Sequence, residues 1–95
     1  MGPLVHWNCV ASGRVQGVNY RARVAEAARR LGLAGSVMNQ IDGTVLIDVQ
    51  GPEDVAEAFL LEVSGPSGAS YARSVRRVAE LPVDGRLRGF EILRG

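Results

Sequence analysis

The residues of this chain with the clearest chemical potential are two arginines at an electrostatically unfavourable place. Arg21 and Arg23 stand in the first turn of a predicted helix that starts at Asn19. A cation there opposes the helix dipole, at a cost of a few tenths to about 1 kcal/mol, whereas Arg29 and Arg30 in the last turn are favoured by it. Two interpretations of the first pair stay open: solvated surface side chains, or side chains that bind an anion and so reverse the local electrostatics.

The segment in front of this helix is suited to anion binding. Gly13-Arg14-Val15-Gln16-Gly17-Val18 joins a predicted strand to the helix, and its two glycines permit backbone angles that a Cβ atom forbids. Successive backbone N–H groups in such a turn can form a concave anion site. The glycines alone equally indicate a tight connection. With Arg21 just behind them they favour a phosphate or carboxylate ligand, because a guanidinium grips two oxygens of one anion.

Asn39 is the third candidate. It lies near the end of a predicted strand, on the same face as Val37, and just before an Asp42-Gly43 turn. An asparagine beside such a turn is usually part of the turn chemistry, and this interpretation stays open. The predicted topology also brings Asn39 to the glycine loop, because strand 3 runs antiparallel to strand 1 and strand 2 ends at the same edge of the sheet.

The elements that position these residues follow from hydrophobic periodicity. The first strand and helix are predicted over 5–12 and 19–31, a hairpin over 36–50, a second helix from about 52 to 63, a bulged strand over 71–81 and a short strand over 89–93. Residues 64–70 read as a surface loop. The order βαββαβ plus a short C-terminal strand predicts an α+β fold, a ferredoxin-like α/β sandwich with two helices on one face of an antiparallel sheet.

Composition removes much of the usual catalytic repertoire. All 11 basic residues are arginine, so lysine Schiff-base chemistry and the lysine-bearing phosphate loop of nucleotide hydrolases are excluded. One cysteine and one histidine cannot build the usual metal sites, and we expect no metal and no cofactor. We expect Cys9 to be a small core residue and His6 to lie on the less buried face of its strand.

The overall character of the chain is that of one small domain spanning residues 1–95. No signal-peptide pattern and no apolar run long enough to span a bilayer occurs, so we expect a cytoplasmic protein without a membrane partner. A net charge of +1 and only five scattered aromatic residues disfavour a nucleic-acid partner. A sandwich of this size commonly stands alone, which predicts a monomer.

Two motifs resemble those of one known family. The run from Gly13 to Arg21 is similar to the acylphosphatase signature G-x-V-Q-G-V-x-[FY]-R, and the run from Gly32 to Asn39 is similar to the second motif, G-x-x-G-[WYF]-V-x-N. The resemblance covers nearly the whole chain. Ser36 departs from it, standing where an aromatic side chain is usual, and this predicts looser packing near the site.

The resemblance implies hydrolysis of the carboxyl–phosphate bond of acyl phosphates, which are small-molecule substrates, without a metal. In that picture Arg21 and Asn39 are the catalytic side chains: Arg21 neutralises the phosphoryl oxygens and Asn39 orients the attacking water. Inorganic phosphate is then the product and a competitive inhibitor. The phosphate-binding loop consists of Val15, Gln16, Gly17, Val18 and Asn19.

Two further functions compete with this one. A phosphoanion-binding module on the same fold, with catalysis lost, needs the arginine but not a water-orienting amide, so the presence of both Arg21 and Asn39 argues against it. An RNA-binding domain is disfavoured by the near-neutral charge.

Overall fold

The sheet is the centre of the structure, a computed structural model that describes residues 2–94. It has six strands in the order β4-β5-β1-β3-β2-β6. In chain order the elements are β1 (Leu4–Arg14), α1 (Tyr20–Arg30), β2 (Ala34–Asn39), β3 (Val45–Pro52), α2 (Glu53–Glu62), β4 (Gly65–Ser67), β5 (Ser70–Glu80) and β6 (Phe90–Leu93). Neither helix is long and apolar enough to cross a membrane.

The predicted ferredoxin-like α+β architecture is confirmed, with two differences at the edges of the sheet. Residues 65–67, expected in a loop, form the short edge strand β4 against β5. The last strand, β6, pairs parallel with β2, so the sheet is not wholly antiparallel. The expected bulge in β5 is present: Arg77 pairs with Cys9 and Ala79 with Asn8, which leaves Val78 unpaired between them.

The core lies between the sheet and its two helices. Alternate residues of β1 and β3 point into it, and Trp7, Cys9, Ile47 and Val49 are at most 2% exposed. Phe59 of α2 completes the same cluster. Burial raises the pKa of the Cys9 thiol to about 11, so this cysteine stays protonated and has the inert core role predicted for it.

The opposite, less buried face of the sheet holds His6, as expected, but His6 itself is buried there. His6 does lie on the face away from the helices, but it is 7% exposed because the segment after β5 crosses over it. Its Nδ1 lies 2.9 Å from the carbonyl oxygen of Pro82, and its Nε2 contacts the Asp48 carboxylate. The backbone N–H of Leu81 donates to the His6 carbonyl over 2.7 Å. Hydropathy alone did not reveal this cover, because residues 81–84 form no strand or helix.

The two partners of the His6 ring make the fold sensitive to pH. A carbonyl and a carboxylate both accept, so the ring satisfies both only as an imidazolium. Burial lowers the pKa of His6, but the hydrogen bonds to Pro82 and Asp48 and the nearby carboxylates of Asp48 and Asp84 outweigh it, and the pKa ends above its ordinary 6.5. The stabilisation is therefore complete below about pH 6.5 and is lost as pH rises through the raised value.

We expect the thermal unfolding midpoint to fall between pH 6.5 and pH 9, and we expect His6→Gln to remove most of that fall. Unfolding of both proteins followed by circular dichroism across this pH range checks it. An equal decline in the two proteins would show that another group titrates.

Candidate active site

The loop between β1 and α1 presents free backbone donors. Gly17 and Asn19 have φ angles of 72° and 64°, in the left-handed region that glycine and asparagine tolerate best. Within residues 2–94, no carbonyl accepts a hydrogen bond from the backbone N–H groups of residues 16–22; the first such bond runs from Arg23 N to Asn19 O, 3.1 Å. These N–H groups point at no protein partner and are available to an anion.

Arg21 lies beside this loop with most of its donors unused. One guanidinium nitrogen donates to the carbonyl oxygen of Leu93 over 3.1 Å, which ties the side chain to the end of β6. A guanidinium carries five N–H donors, so four remain for a ligand. The loop, Arg21 and Ile92 together border a cleft of about 330 Å³.

Arg23 has a different role from Arg21, and its interpretation as an anion ligand was wrong. Its two terminal nitrogens donate to the carbonyls of Glu62, Ser64 and Gly65 and to the Ser70 hydroxyl, over 2.8–3.3 Å. Three of these acceptors are backbone oxygens at and beyond the C-terminus of α2. Arg23 therefore caps the C-terminus of α2. These hydrogen bonds offset the unfavourable interaction of Arg23 with the dipole at the start of α1.

Arg29 also does more than complement the helix dipole. Its Nε donates to the carbonyl oxygen of Phe90 over 3.0 Å, so α1 holds both ends of β6 through Arg29 and Arg21. Because β6 borders the cleft through Ile92, Arg29 contributes to the position of one wall.

Asn39 is the last residue of β2 and lies at a cleft that adjoins the first one. It borders a second cleft, about 400 Å³, together with Arg21, Ile92 and Arg94. The two clefts share Arg21 and Ile92 and are therefore adjoining. The side-chain oxygen of Asn39 is buried, and no donor among residues 2–94 reaches it. A buried acceptor without a donor is costly, so this arrangement of the Asn39 amide lowers the stability of the fold.

The neighbouring turn does not depend on the Asn39 side chain. Asp42 accepts hydrogen bonds from the Thr44 backbone N–H, over 3.0 Å, and from the Thr44 hydroxyl. The Gln40 N–H donates to the Thr44 carbonyl over 2.9 Å. These contacts close the hairpin and leave the Asn39 amide outside the turn.

Gln16 connects the loop to this hairpin. Its side-chain nitrogen donates to the carbonyls of Gln40, over 2.8 Å, and Thr44, over 2.7 Å. The predicted proximity of the loop and the Asn39 region, about twenty positions apart in sequence, is therefore present. The side chain of Gln16 acts as a clamp between two segments, while its backbone N–H stays with the free donors of the loop.

We expect Gln16→Ala to lower kcat more than it weakens phosphate binding, because the loop backbone remains while its distance to Asn39 is no longer fixed. A loss of roughly tenfold to 10²-fold in kcat is the expected scale for a misplacement of about 1 Å. Steady-state kinetics with phosphate as inhibitor measure both quantities. Gln16→Glu is a matched control, since it keeps the length but turns the donor into a second acceptor. Unchanged kcat in both variants would contradict a positioning role.

The structure also brings in residues that sequence reasoning missed and removes one that it included. Ile92 and Arg94 border the clefts; only the parallel pairing of β6 with β2 brings them there, and local sequence carries no signal of that pairing. Ser36 lies on the opposite face of the sheet, in a separate cleft beside Asp48. The expectation of looser packing near the site was therefore wrong. Within the described part of the chain, no three His, Cys, Asp or Glu side chains cluster as metal ligands do.

Comparison with known proteins decides the family. The acylphosphatase family model matches residues 7–92. The chain belongs to the acylphosphatase family. A curated acylphosphatase of Cupriavidus necator is 43% identical over 86 residues, 90% of this chain and 89% of the relative; one of Azoarcus sp. is 45% identical over 83 residues, 85% and 81% of the two chains. The crystal structure of acylphosphatase from Bacillus subtilis superposes with a TM-score of 0.86 at 31% identity, covering 94% of this chain and 98% of that one.

Acylphosphatase membership confirms three predictions made from sequence: the family, the sandwich fold and the enzyme class. The protein is an acylphosphatase, a hydrolase, and the alternative of a non-catalytic phosphoanion-binding module is not favoured.

Proposed function

We propose that this chain hydrolyses acyl phosphates with the loop 15–19, Arg21 and Asn39 as its working parts. The observation that carries the proposal is the pair of adjoining clefts: the loop with its free backbone N–H groups borders one, Asn39 borders the other, and Arg21 borders both. Such a site can hold a phosphoryl group and a water molecule next to each other.

The phosphoryl group is bound by hydrogen bonds and charge. Its oxygens accept from the N–H groups of the loop, and the guanidinium of Arg21, held in place by the Leu93 carbonyl, neutralises part of their charge. Preorganised donors of this kind stabilise the transition state because they need no rearrangement when charge shifts among the oxygens.

The attacking water is oriented by Asn39, which borders the second cleft. The water oxygen forms a bond to phosphorus while the bond from phosphorus to the carboxyl oxygen breaks, and the leaving carboxylate keeps the electron pair. One water proton passes to a phosphoryl oxygen, and the other stays on the attacking oxygen. R–CO–O–PO₃²⁻ and H₂O thus give R–COO⁻ and H₂PO₄⁻.

The chemistry of the leaving group explains why so few side chains suffice. A carboxylic acid has a pKa of roughly 4, so its anion departs without being protonated and no general acid is needed. This suits a chain whose lone histidine, His6, is occupied on the opposite face of the sheet by Pro82 and Asp48.

The direct test is release of phosphate from benzoyl phosphate by the purified protein. We expect acceleration far above the buffer rate, unchanged after dialysis against EDTA, and competitive inhibition by inorganic phosphate. A rate equal to that of buffer contradicts the proposed function. Activity that EDTA removes and a divalent cation restores contradicts the metal-free mechanism.

The same proposal includes a cytoplasmic monomer consisting of one domain over residues 1–95. The lone cysteine, Cys9, is buried and supports a protein without disulfides. Sedimentation equilibrium at a range of concentrations tests the monomer; a mass of twice 10.1 kDa contradicts it.

A further inference from the structure

A second arginine borders the cleft of Asn39, and nothing in the motifs singles it out. Arg94 directly follows β6 and lines the cleft of about 400 Å³ with Arg21, Asn39 and Ile92. It is exposed, so its guanidinium is free to move toward a ligand.

The register of the sheet explains this position. Leu93 of β6 pairs with Met38 of β2 in the parallel ladder, so the next residues along the two strands are Arg94 and Asn39. Because side chains alternate between the faces of a sheet, Arg94 shares the face of Ile92 and lies on the side of the clefts.

Among residues 2–94, the side-chain charges that border the two clefts are positive. Arg21 and Arg94 are these charged residues, and no Asp or Glu of the described part of the chain borders either cleft. None of the ion pairs among residues 2–94 involves either arginine. The phosphoryl group of an acyl phosphate carries two negative charges, whereas Arg21 supplies one positive charge. A second cation at the site matches the remaining charge.

The geometry of displacement decides which part of the substrate Arg94 faces. The attacking and leaving oxygens lie roughly in line on opposite sides of phosphorus. If the water is held by Asn39, the acyl group leaves on the side away from Asn39. A guanidinium in the Asn39 cleft therefore faces the phosphoryl oxygens and the water, and not the acyl group.

We propose that Arg94 is a second phosphate-binding residue, which contacts the dianionic phosphoryl group from the side of the attacking water. It sets a preference for phosphoryl groups with two negative charges over those with one. This proposal rests on the proposed function and adds a residue to its site.

The test compares two substrates that differ by one charge, benzoyl phosphate and benzoyl methyl phosphate. We expect Arg94→Gln to lower kcat/KM for benzoyl phosphate roughly five- to tenfold, the scale of one partly solvated charge contact, and to lower it about twofold or less for the methyl ester. The ratio of kcat/KM for benzoyl phosphate to kcat/KM for the methyl ester thus falls. Arg94→Lys keeps the charge and should retain most of the ratio. Arg76→Gln, which removes an equal charge on the opposite face of the sheet, should leave the ratio unchanged.

Two results overturn the proposal. The first is a ratio of kcat/KM for benzoyl phosphate to kcat/KM for the methyl ester that is the same in Arg94→Gln as in the wild type or in Arg76→Gln. Arg94 would then contribute only to the net charge of the protein. The second is a loss of kcat/KM in Arg94→Gln that is larger for 4-carboxybenzoyl phosphate than for benzoyl phosphate, with the ratio for benzoyl phosphate and its methyl ester unchanged. This result would place Arg94 at the acyl group.

Binding of inorganic phosphate, measured by calorimetry, separates this proposal from the proposed function. If wild-type protein fails to hydrolyse benzoyl phosphate, the function is wrong, but weaker phosphate binding in Arg94→Gln than in Arg76→Gln still supports Arg94 as a ligand. Equal binding in these two variants contradicts it.

Discussion

Replacement of Arg21 by alanine is expected to abolish hydrolysis of benzoyl phosphate and binding of inorganic phosphate together. Arg21 borders both clefts, so its removal withdraws charge from the phosphoryl group in the ground state and in the transition state. Arginines that stabilise transferring phosphoryl groups contribute 10³–10⁵ in rate, and we expect a loss of roughly 10³-fold or more in kcat/KM. Kinetics and calorimetry with phosphate measure the two losses.

Three variants make this experiment specific. Arg21→Lys should recover little, because an ammonium cannot bridge two oxygens while also holding the Leu93 carbonyl. Arg76→Ala, which removes an exposed cation on the opposite face, should stay near wild type. Arg23→Ala should lose stability and not activity. It leaves several carbonyls without their donor and should lower the free energy of unfolding by roughly 2–4 kcal/mol. Normal phosphate inhibition in Arg21→Ala would place the anion site elsewhere.

The contrast between Arg21 and Arg23 shows what local sequence can predict and what it cannot. Both break the same helix-dipole rule, and periodicity places both in the first turn of one helix. What separates them is the partner across the fold: β6 and a cleft for Arg21, the end of α2 for Arg23. Such partners depend on tertiary packing, so sequence showed that the positions were unusual without showing which of them was functional.

The fold itself was predictable because its signals are local. The buried alternation of β3, the apolar stripe of α1 and the Asp42-Gly43 turn each follow from spacing within a few residues. The features that were missed come from irregular or edge segments. His6 is covered by residues 81–84, which have no periodicity, and Arg94 reaches the site through a parallel pairing of strands whose partners are 55 residues apart in sequence. In both cases a residue at the surface of its own element lies beside groups that only the assembled sheet brings near it.

Replacement of Asn39 by alanine should separate chemistry from binding. The proposed function gives Asn39 the attacking water to orient and no contact with phosphate, and the position of Asn39 at the second cleft fits that role. We expect kcat to fall on the order of 10²–10³, the scale of one lost preorganised group, while competitive inhibition by phosphate stays within about twofold. The alternative role, support of the hairpin turn, predicts early melting with normal turnover at low temperature. Measurement of kcat and of the unfolding midpoint on the same samples distinguishes the two roles.

Asn39→Asp is the sharper variant because it keeps the shape and changes the charge. A carboxylate can accept the proton of the water, which would favour attack, but it also stands a few Å from a phosphoryl dianion in a partly dry cleft. A unit charge about 4 Å from a dianion is repelled by about 8 kcal/mol at an effective dielectric constant near 20. This exceeds the roughly 3–5 kcal/mol that corresponds to the 10²–10⁴-fold gain from one general base. We therefore expect low activity together with weaker phosphate binding, a combination that alanine does not produce. If Asn39→Asp instead works near the wild-type rate, the dianion does not approach this side chain, and the water must be held by another group.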